Sequence, residues 1–286
     1  MERFEYATTQ DPHVNYCLWQ YHPVAPAEDK FRAVNLLYHA FELERADPRL
    51  YDMVDALRDS IGPFRTVFGI KLVDGRLAWE YYFYDYARRE RKVSIGRVVE
   101  ALRPFARCEI RPNESLPYFM FSIDIDSALA RGTRQLDVVH MYLGNPGSAV
   151  SSGIAYALRP AGSTLENFYF FFDAKTQLDD AASKIFCSPH VDPAAIRPER
   201  ILLPELRDCH TICVANKQRN DCVYFSGVNV DQLLWFLDRF AYPTEIQRMV
   251  RDNRASLDHL LYDVGIDYRI ENGAMCVLKS GYYGVF

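Results

Sequence analysis

Apolar and polar positions alternate along this chain in five paired stretches, each pair joined by turn residues. RTVFGIKLVDGRLAWEYYFYDY reads as two strands around Val-Asp-Gly-Arg, and Asp-Gly is a strong signal for a short hairpin loop. LPYFMFSIDIDSALARGTRQLDVVHMYLG gives a second pair with a longer polar connection, and SGIAYALRPAGSTLENFYFFFDA a third, turning at Pro-Ala-Gly-Ser. HTICVANKQRNDCVYFSGV turns at Gln-Arg-Asn-Asp, and DVGIDYRIENGAMCVLKSGYYGVF turns at Glu-Asn-Gly.

Helical spacing fills the intervals. Phe31, Val34, Leu37, Tyr38 and Phe41 recur on one face of EDKFRAVNLLYHAFELE, and Asp47 with Pro48 opens a second helix striped by Leu50, Val54, Leu57 and Ile61. Further helices are expected from Ser94 to Phe105, Asp179 to Phe186, Asp231 to Phe240 and Thr244 to Leu261. VFGIKLVDGRLAW and DVGIDYRIENGAMCV also share a Gly-Ile step, a charged residue and an Asp-or-Asn-Gly turn, a weak internal repeat.

Side-chain parity separates two faces. Phe68, Ile70 and Leu72 oppose Gly69 and Lys71; Trp79, Tyr81 and Phe83 oppose Glu80, Tyr82 and Tyr84; Phe119, Phe121, Ile123 and Ile125 oppose Ser122 and Asp124. Val139 and Met141 oppose His140 and Tyr142, Val214 and Phe225 oppose Lys217 and Tyr224, and Val264 and Ile266 oppose Asp267 and Arg269. The third hairpin is ambiguous. One reading is an open sheet with helices on its oily side and water on the other. The other is an α+β fold: a ten-stranded antiparallel barrel of five hairpins with helices on the outside, one domain over residues 1–286, its polar face lining a lumen. Tyrosine on the polar face favours the lumen, since solvated faces usually carry Lys, Glu and Thr.

Bulk properties narrow the function. Net charge is -5, which gives no general pull on a polyphosphate backbone and argues against a nucleic-acid partner. Tyr and Phe, 19 and 18 copies, are over-used in a way that suits strands and aromatic-lined cavities. Seven scattered cysteines, without a second pair at ligand spacing, read as reduced thiols rather than a zinc site. The start, MERFEYATTQDPHV, lacks the apolar core of a secretory signal, and no window is long enough to span a membrane. The expectation is a cytoplasmic protein with no membrane partner. Nucleotide-cradling GxGxxG and GxxxxGK[ST], the HExxH zinc motif and GxSxG are absent, and His190 with Asp192 in a Pro-rich loop is a weak metal pair.

If the sheet closes, Lys71, Lys217 and Arg269, with Arg159 and Lys279, converge on one interior. Such a cluster needs an anion or carboxylates to balance it, and Asp124, Asp267 and Glu80 could do so as plain ion pairs. The functional alternative is an anion site. A cation cluster beside aromatic rings suits an allylic diphosphate, the cations holding the leaving group and Tyr82, Tyr84, Tyr142, Tyr224 or Tyr282 flanking the allylic cation and excluding water. Glu80 is the first candidate for the base that deprotonates the acceptor, with His140 or Asp124 next. Removing Lys71 or Lys217 is then expected to weaken diphosphate binding with little effect on folding.

Three stretches, EDKFRAVNLLYHAF, FSIDIDSALARGTRQLDVVHMYL and DCHTICVANKQRNDCVYF, run in an order of elements that resembles the ABBA-barrel aromatic prenyltransferases, and among them the cyanobactin-type peptide prenyltransferases. The resemblance implies transfer of a dimethylallyl or geranyl group from its diphosphate to a peptide side chain or an aromatic small molecule, with magnesium accompanying the diphosphate. It also implies a base glutamate near the first helix, which would fall at Glu28, and a basic helix residue at Arg32, with Asn35 at the neighbouring register. The alternative is a non-catalytic barrel that binds an amphipathic ligand.

Overall fold

The computed structural model describes residues 3–11, 15–16, 18–85 and 91–286. A short ribbon, β1 (Asn15–Tyr16) with β2 (Gln20–Tyr21), precedes helices α1 (Val34–Leu43) and α2 (Arg49–Ile61). The five expected hairpins come next: β3 (Thr66–Val73) with β4 (Arg76–Tyr84), β5 (Tyr118–Ile125) with β6 (Val139–Gly144), β7 (Ser152–Arg159) with β8 (Gly162–Asp173), β9 (Thr211–Lys217) with β10 (Asp221–Val228), and β11 (Tyr262–Glu271) with β12 (Ala274–Val285). Helix α3 (Ile95–Leu102) separates the first two hairpins, α4 (Ser127–Ala130) lies inside the second, and α5 (Leu178–Ile185) comes after the third. Helices α6 (Val230–Arg239), α7 (Thr244–Asp252) and α8 (Arg254–Leu257) lead into the last.

Local chemistry explains the boundaries. Asp74 and Gly75, with φ of 49° and 74°, and Asn272 and Gly273, with φ of 51° and 74°, are the paired left-handed residues of tight hairpin turns. Ser94 starts α3 by accepting a bond from the Arg97 backbone N–H, and Asn229 with Gln232 forms a reciprocal cap on α6. The helix expected from Thr244 to Leu261 is instead split. Asn253 turns its side-chain amide back onto the Met249 carbonyl at 2.9 Å, which ends α7, and Tyr262 already belongs to β11.

Each strand from β3 to β12 pairs antiparallel with its neighbour in sequence, and β12 pairs with β3 from Lys279↔Val73 to Val285↔Val67. The sheet is therefore a closed ten-stranded barrel. Its outward face is the oily one: Phe68, Ile70, Tyr81, Phe83, Phe121, Ile123, Val214, Phe225, Val264 and Ile266 are buried in one continuous core with the inner faces of the helices. Representative contacts are Phe41 edge-on to Trp79 at 5.0 Å and Tyr242 edge-on to Tyr282 at 5.6 Å. The ambiguous third hairpin is the one whose outer face is thinly covered, with Leu165 and Phe168 of β8 exposed. Half-exposed apolar residues there blur the alternation.

The internal repeat has a spatial meaning. Gly69 and Gly265 face the lumen beneath tyrosine rings: a Cβ would lie 2.7 Å from Tyr283 Cε1 at Gly69 and 2.4 Å from Tyr224 Cδ1 at Gly265. Two residues further along each strand stand the lumen charges Lys71 and Asp267. Both hairpins thus lay a ring flat on the wall and set a charge below it.

Candidate active site

The lumen divides along the barrel axis into a charged half and an aromatic half. Strand direction creates the division, because the charges lie from the middle toward the end of β3, β5, β9 and β11 and from the start toward the middle of β4, β6, β8 and β12, on one side of the barrel's midpoint. Register places Glu80 directly opposite Asp124 and Lys279 opposite Asp267.

Each charge there has a partner. Lys71 Nζ donates to Glu80 Oε2 and to Asp124 Oδ1, the latter at 3.3 Å, so one ammonium relieves two carboxylates on neighbouring strands. Glu80 also accepts from the Tyr82 hydroxyl at 2.7 Å and from Ser122 Oγ at 2.5 Å. Lys217 Nζ donates to Asp267 Oδ2 at 2.8 Å, and Lys279 Nζ approaches the same oxygen at 3.4 Å. His140 Nδ1 lies 2.7 Å from Glu166 Oε2, and its Nε2 lies 3.6 Å from Asp124 Oδ2.

These contacts fix the protonation states. Burial opposes charge on His140, but the bonds to Asp124 and Glu166 outweigh it and push its pKa up to about 10. His140 is therefore held toward the imidazolium form at neutral pH and stands with the cations of this layer. Burial likewise opposes the Glu80 carboxylate, yet Lys71 holds its pKa below the ordinary value. Asp124 is also held low, against burial, by His140 and Lys71, and Asp267 by Lys217 and Lys279. Glu80 and Asp124 serve as ion-pair anchors in this layer, Glu80 buried and the Asp124 side chain 60% exposed. Lys279 differs from the other cations. Burial and the nearby Lys217 and Lys71 charges lower its pKa, since it shares a single carboxylate with Lys217.

Above the charged layer the lumen becomes a cavity lined by Val67, Tyr82, Tyr84, Met120, Tyr142, Tyr169, Phe171, Cys213, Tyr224, Asp263 and Tyr283, together with Leu18, Phe119 and Gly153. The cavity and its mouth, open solvent included, hold about 700 Å³ of space not occupied by atoms, and about 70 Å³ admits the centre of a water molecule. Tyr82 meets Tyr283 edge-on at 5.5 Å, Tyr142 tilts against Tyr169 at 5.6 Å, and Tyr224 against Tyr283 at 6.2 Å. Burial pushes the phenols of Tyr82, Tyr142, Tyr169, Tyr224 and Tyr283 well above their usual pKa, so these are neutral rings with electron-rich faces. The segment around β2 covers this end of the barrel: the Leu18 backbone N–H donates to Ser226 Oγ at 3.2 Å, and Trp19 stacks on His210 at 4.0 Å.

The chain matches no family model and no curated protein.

Of the residues picked from the sequence, the structure gathers Lys71, Lys217, Lys279, Glu80, Asp124 and His140 in the charged layer, and Tyr82, Tyr84, Tyr142 and Tyr224 around the cavity. Other expectations are corrected. Tyr282 is fully buried but points outward, opposite Ile70 and against Tyr242; its neighbour Tyr283 is the lumen tyrosine. Arg159 is exposed beside the β7–β8 turn, and Arg269, 48% exposed, pairs at 2.5 Å with Glu271 on its own strand near the rim. Glu28 is exposed in the turn before α1, outside the barrel. Arg32 is bound by Asp11 at 2.6 Å and Glu5 at 3.2 Å, while Asn35 is buried against the Glu5 backbone.

Parity within β8 and β12 was the signal that could have found Tyr169 and Tyr283, the count by twos from Lys279 leading to Tyr283, whereas Glu166, three residues before Tyr169, is put out of that count by the register shift between Ala155 and Tyr156. Asp263, four before Asp267, is reached by the same count. Among the described residues no three His, Cys, Asp or Glu groups gather where they could hold a metal ion. The lumen carboxylates beside the cations are already bridged to Lys or His, so these residues do not form a magnesium site. No helix among the described residues is long and apolar enough to cross a membrane.

Proposed function

We propose that this barrel is a prenyltransferase, moving a dimethylallyl or geranyl group from its diphosphate to a nucleophilic side chain of a peptide or to an aromatic small molecule. One observation carries the reading: four cationic groups at one level of a closed lumen adjoin a cavity walled by tyrosine rings. In this reading the diphosphate enters from the charged rim and takes Lys279 first, because that ammonium shares its carboxylate. Lys217, Lys71 and the His140 imidazolium complete the grip, stabilising the charge that develops on the departing diphosphate. Magnesium enters only as a counter-ion that the diphosphate brings with it.

The prenyl chain then lies among Tyr82, Tyr142, Tyr169, Tyr224 and Tyr283. Their faces stabilise the electron-poor carbon, and their neutral phenols are weak nucleophiles that do not trap it. The closed wall keeps water, the competing nucleophile, away from the allylic carbon.

A second reading, a non-catalytic barrel that binds an amphipathic ligand, is favoured by the charge balance. Lys71, Lys217, Lys279 and His140 face Glu80, Asp124, Glu166 and Asp267, so the layer is neutral as it stands. Labelled dimethylallyl and geranyl diphosphates, incubated with the protein and peptides bearing Trp, Tyr, His or Arg, separate the two. Transfer of label to an acceptor supports the enzyme, donor binding without transfer supports the binder, and absence of donor binding removes both.

A further inference from the structure

Every cation of the charged layer already has a carboxylate partner, so an arriving diphosphate must free some of them first. The four carboxylates are held with unequal firmness. Glu80 accepts from Lys71, from the Tyr82 hydroxyl at 2.7 Å and from Ser122 Oγ at 2.5 Å. Asp267 is held by Lys217 at 2.8 Å, Asn220 Nδ2 at 3.3 Å and Lys279 at 3.4 Å, and Glu166 lies 2.7 Å from His140 Nδ1. Asp124 has the longest contacts of the four, 3.3 Å to Lys71 and 3.6 Å to His140 Nε2, the second beyond hydrogen-bond length. Its side chain is 60% exposed, against 8%, 25% and 11% for Glu80, Glu166 and Asp267.

The surroundings of Asp124 also let it leave at low cost. It faces Glu80 across the β4–β5 pair, and like charges directly opposite one another on neighbouring strands are unfavourable. Asp124 is one residue from the end of β5, where its carboxylate already meets water. Arg134 Nη2 holds its backbone carbonyl at 3.1 Å, so an outward swing involves the side chain alone. Once it has swung, Lys71 still has Glu80 and His140 still has Glu166, and neither cation is stranded.

We propose that Asp124 is a resident counter-anion standing where the diphosphate binds: it bridges Lys71 and His140 until a diphosphate takes those two cations, and then turns out to solvent. The inference rests on the diphosphate half of the prenyl-transfer reading and adds to it a residue that sets donor affinity. An anion that competes with a side chain for its site binds more weakly by the fraction of molecules in which the site is free. If Asp124 is inward in about 90% of molecules, the observed affinity is about tenfold below that of the freed cations.

Calorimetric titration with inorganic pyrophosphate and with dimethylallyl diphosphate gives the first measurement. Asp124→Asn keeps the shape and removes the charge, and it should bind both anions about tenfold more tightly than wild type. Asp74→Asn makes the same change of charge in the exposed β3–β4 turn, where salt and water screen it, and should alter affinity by less than about twofold. A crystal structure of the wild type with pyrophosphate gives the second, and should show phosphate oxygens on Lys71 and His140 with the Asp124 carboxylate turned away. Equal or weaker binding by Asp124→Asn, equal tightening by Asp74→Asn, or a pyrophosphate complex in which Asp124 still bridges Lys71 and His140 would each overturn the proposal, and transfer of label by the wild type would survive all three. Tightening without transfer would keep the counter-anion and leave the non-catalytic binder. Failure of both wild type and Asp124→Asn to bind either anion would remove the prenyl-transfer reading, and this inference with it.

Discussion

Gly265→Ala is the most direct probe of the lumen wall. The φ of Gly265 is not in the left-handed region, so alanine meets no backbone penalty there, and space alone decides its effect. A Cβ would stand 2.4 Å from Tyr224 Cδ1 and 2.6 Å from Cε1, whereas carbon atoms rest at about 3.5–4.0 Å. The ring must therefore retreat by more than about 1 Å, and the lumen is the free direction, since the wall lies behind it. Overpacking of this size costs about 1–3 kcal/mol, which for a chain of this length lowers Tm by about 2 °C per kcal/mol. The displaced ring also occupies cavity volume, so affinity for a prenyl diphosphate should fall about tenfold or more. Differential scanning calorimetry and donor titration give the two numbers. Adding Tyr224→Ala should relieve both defects, making the pair strongly non-additive. A Gly265→Ala protein with unchanged Tm and affinity, or one whose defects merely add to those of Tyr224→Ala, would refute the account of rings lying on glycine.

Three further outcomes concern the charged layer and its neighbours. Lys71→Met leaves Glu80 buried without its cation and should cost about 3–5 kcal/mol in urea unfolding, contrary to the fold-neutral effect expected from sequence, while Lys71→Met with Glu80→Gln should recover most of it. His140 has a pKa raised from 6.5 to about 10, so its stabilisation is complete below pH 6.5 and drains away as pH rises toward 10. The pH dependence of unfolding should show that loss in wild type and lack it in His140→Gln. Tyr283→Ala should impair ligand binding more than stability, and Tyr282→Ala the reverse, measured by titration and thermal melts on the same preparations.

Most of the architecture was legible because the period of two along each strand carries it. Lys71, Glu80, Asp124, His140, Lys217 and Asp267 all fell on the polar parity, and closure of the sheet turned that parity into an interior. Height along the barrel was not legible in the same way. Arg159 and Arg269 share the parity of lumen residues but stand at the rim, where solvent and Glu271 claim them. Bulges broke the count elsewhere: the shift between Tyr118 and Met120 brings Phe119 and Met120 together to the cavity, and the shift between Ala155 and Tyr156 alters the register opposite Glu166. The role of His140 also escaped, because a histidine's charge depends on what surrounds it. Glu166, which supplies the closer of its two carboxylates, lies on the one hairpin whose alternation was unclear.

The pairing of β12 with β3 joins segments roughly 200 residues apart in the chain. Every other rung of the wall links neighbours, so this seam is the costliest contact to form and a natural candidate for the rate-limiting event in folding. Until it zips, the inner layer of lysines and carboxylates faces bulk water and two unpaired edges stay adhesive. Backbone amides along Lys279 to Val285 should accordingly be the last to gain protection from hydrogen exchange during refolding.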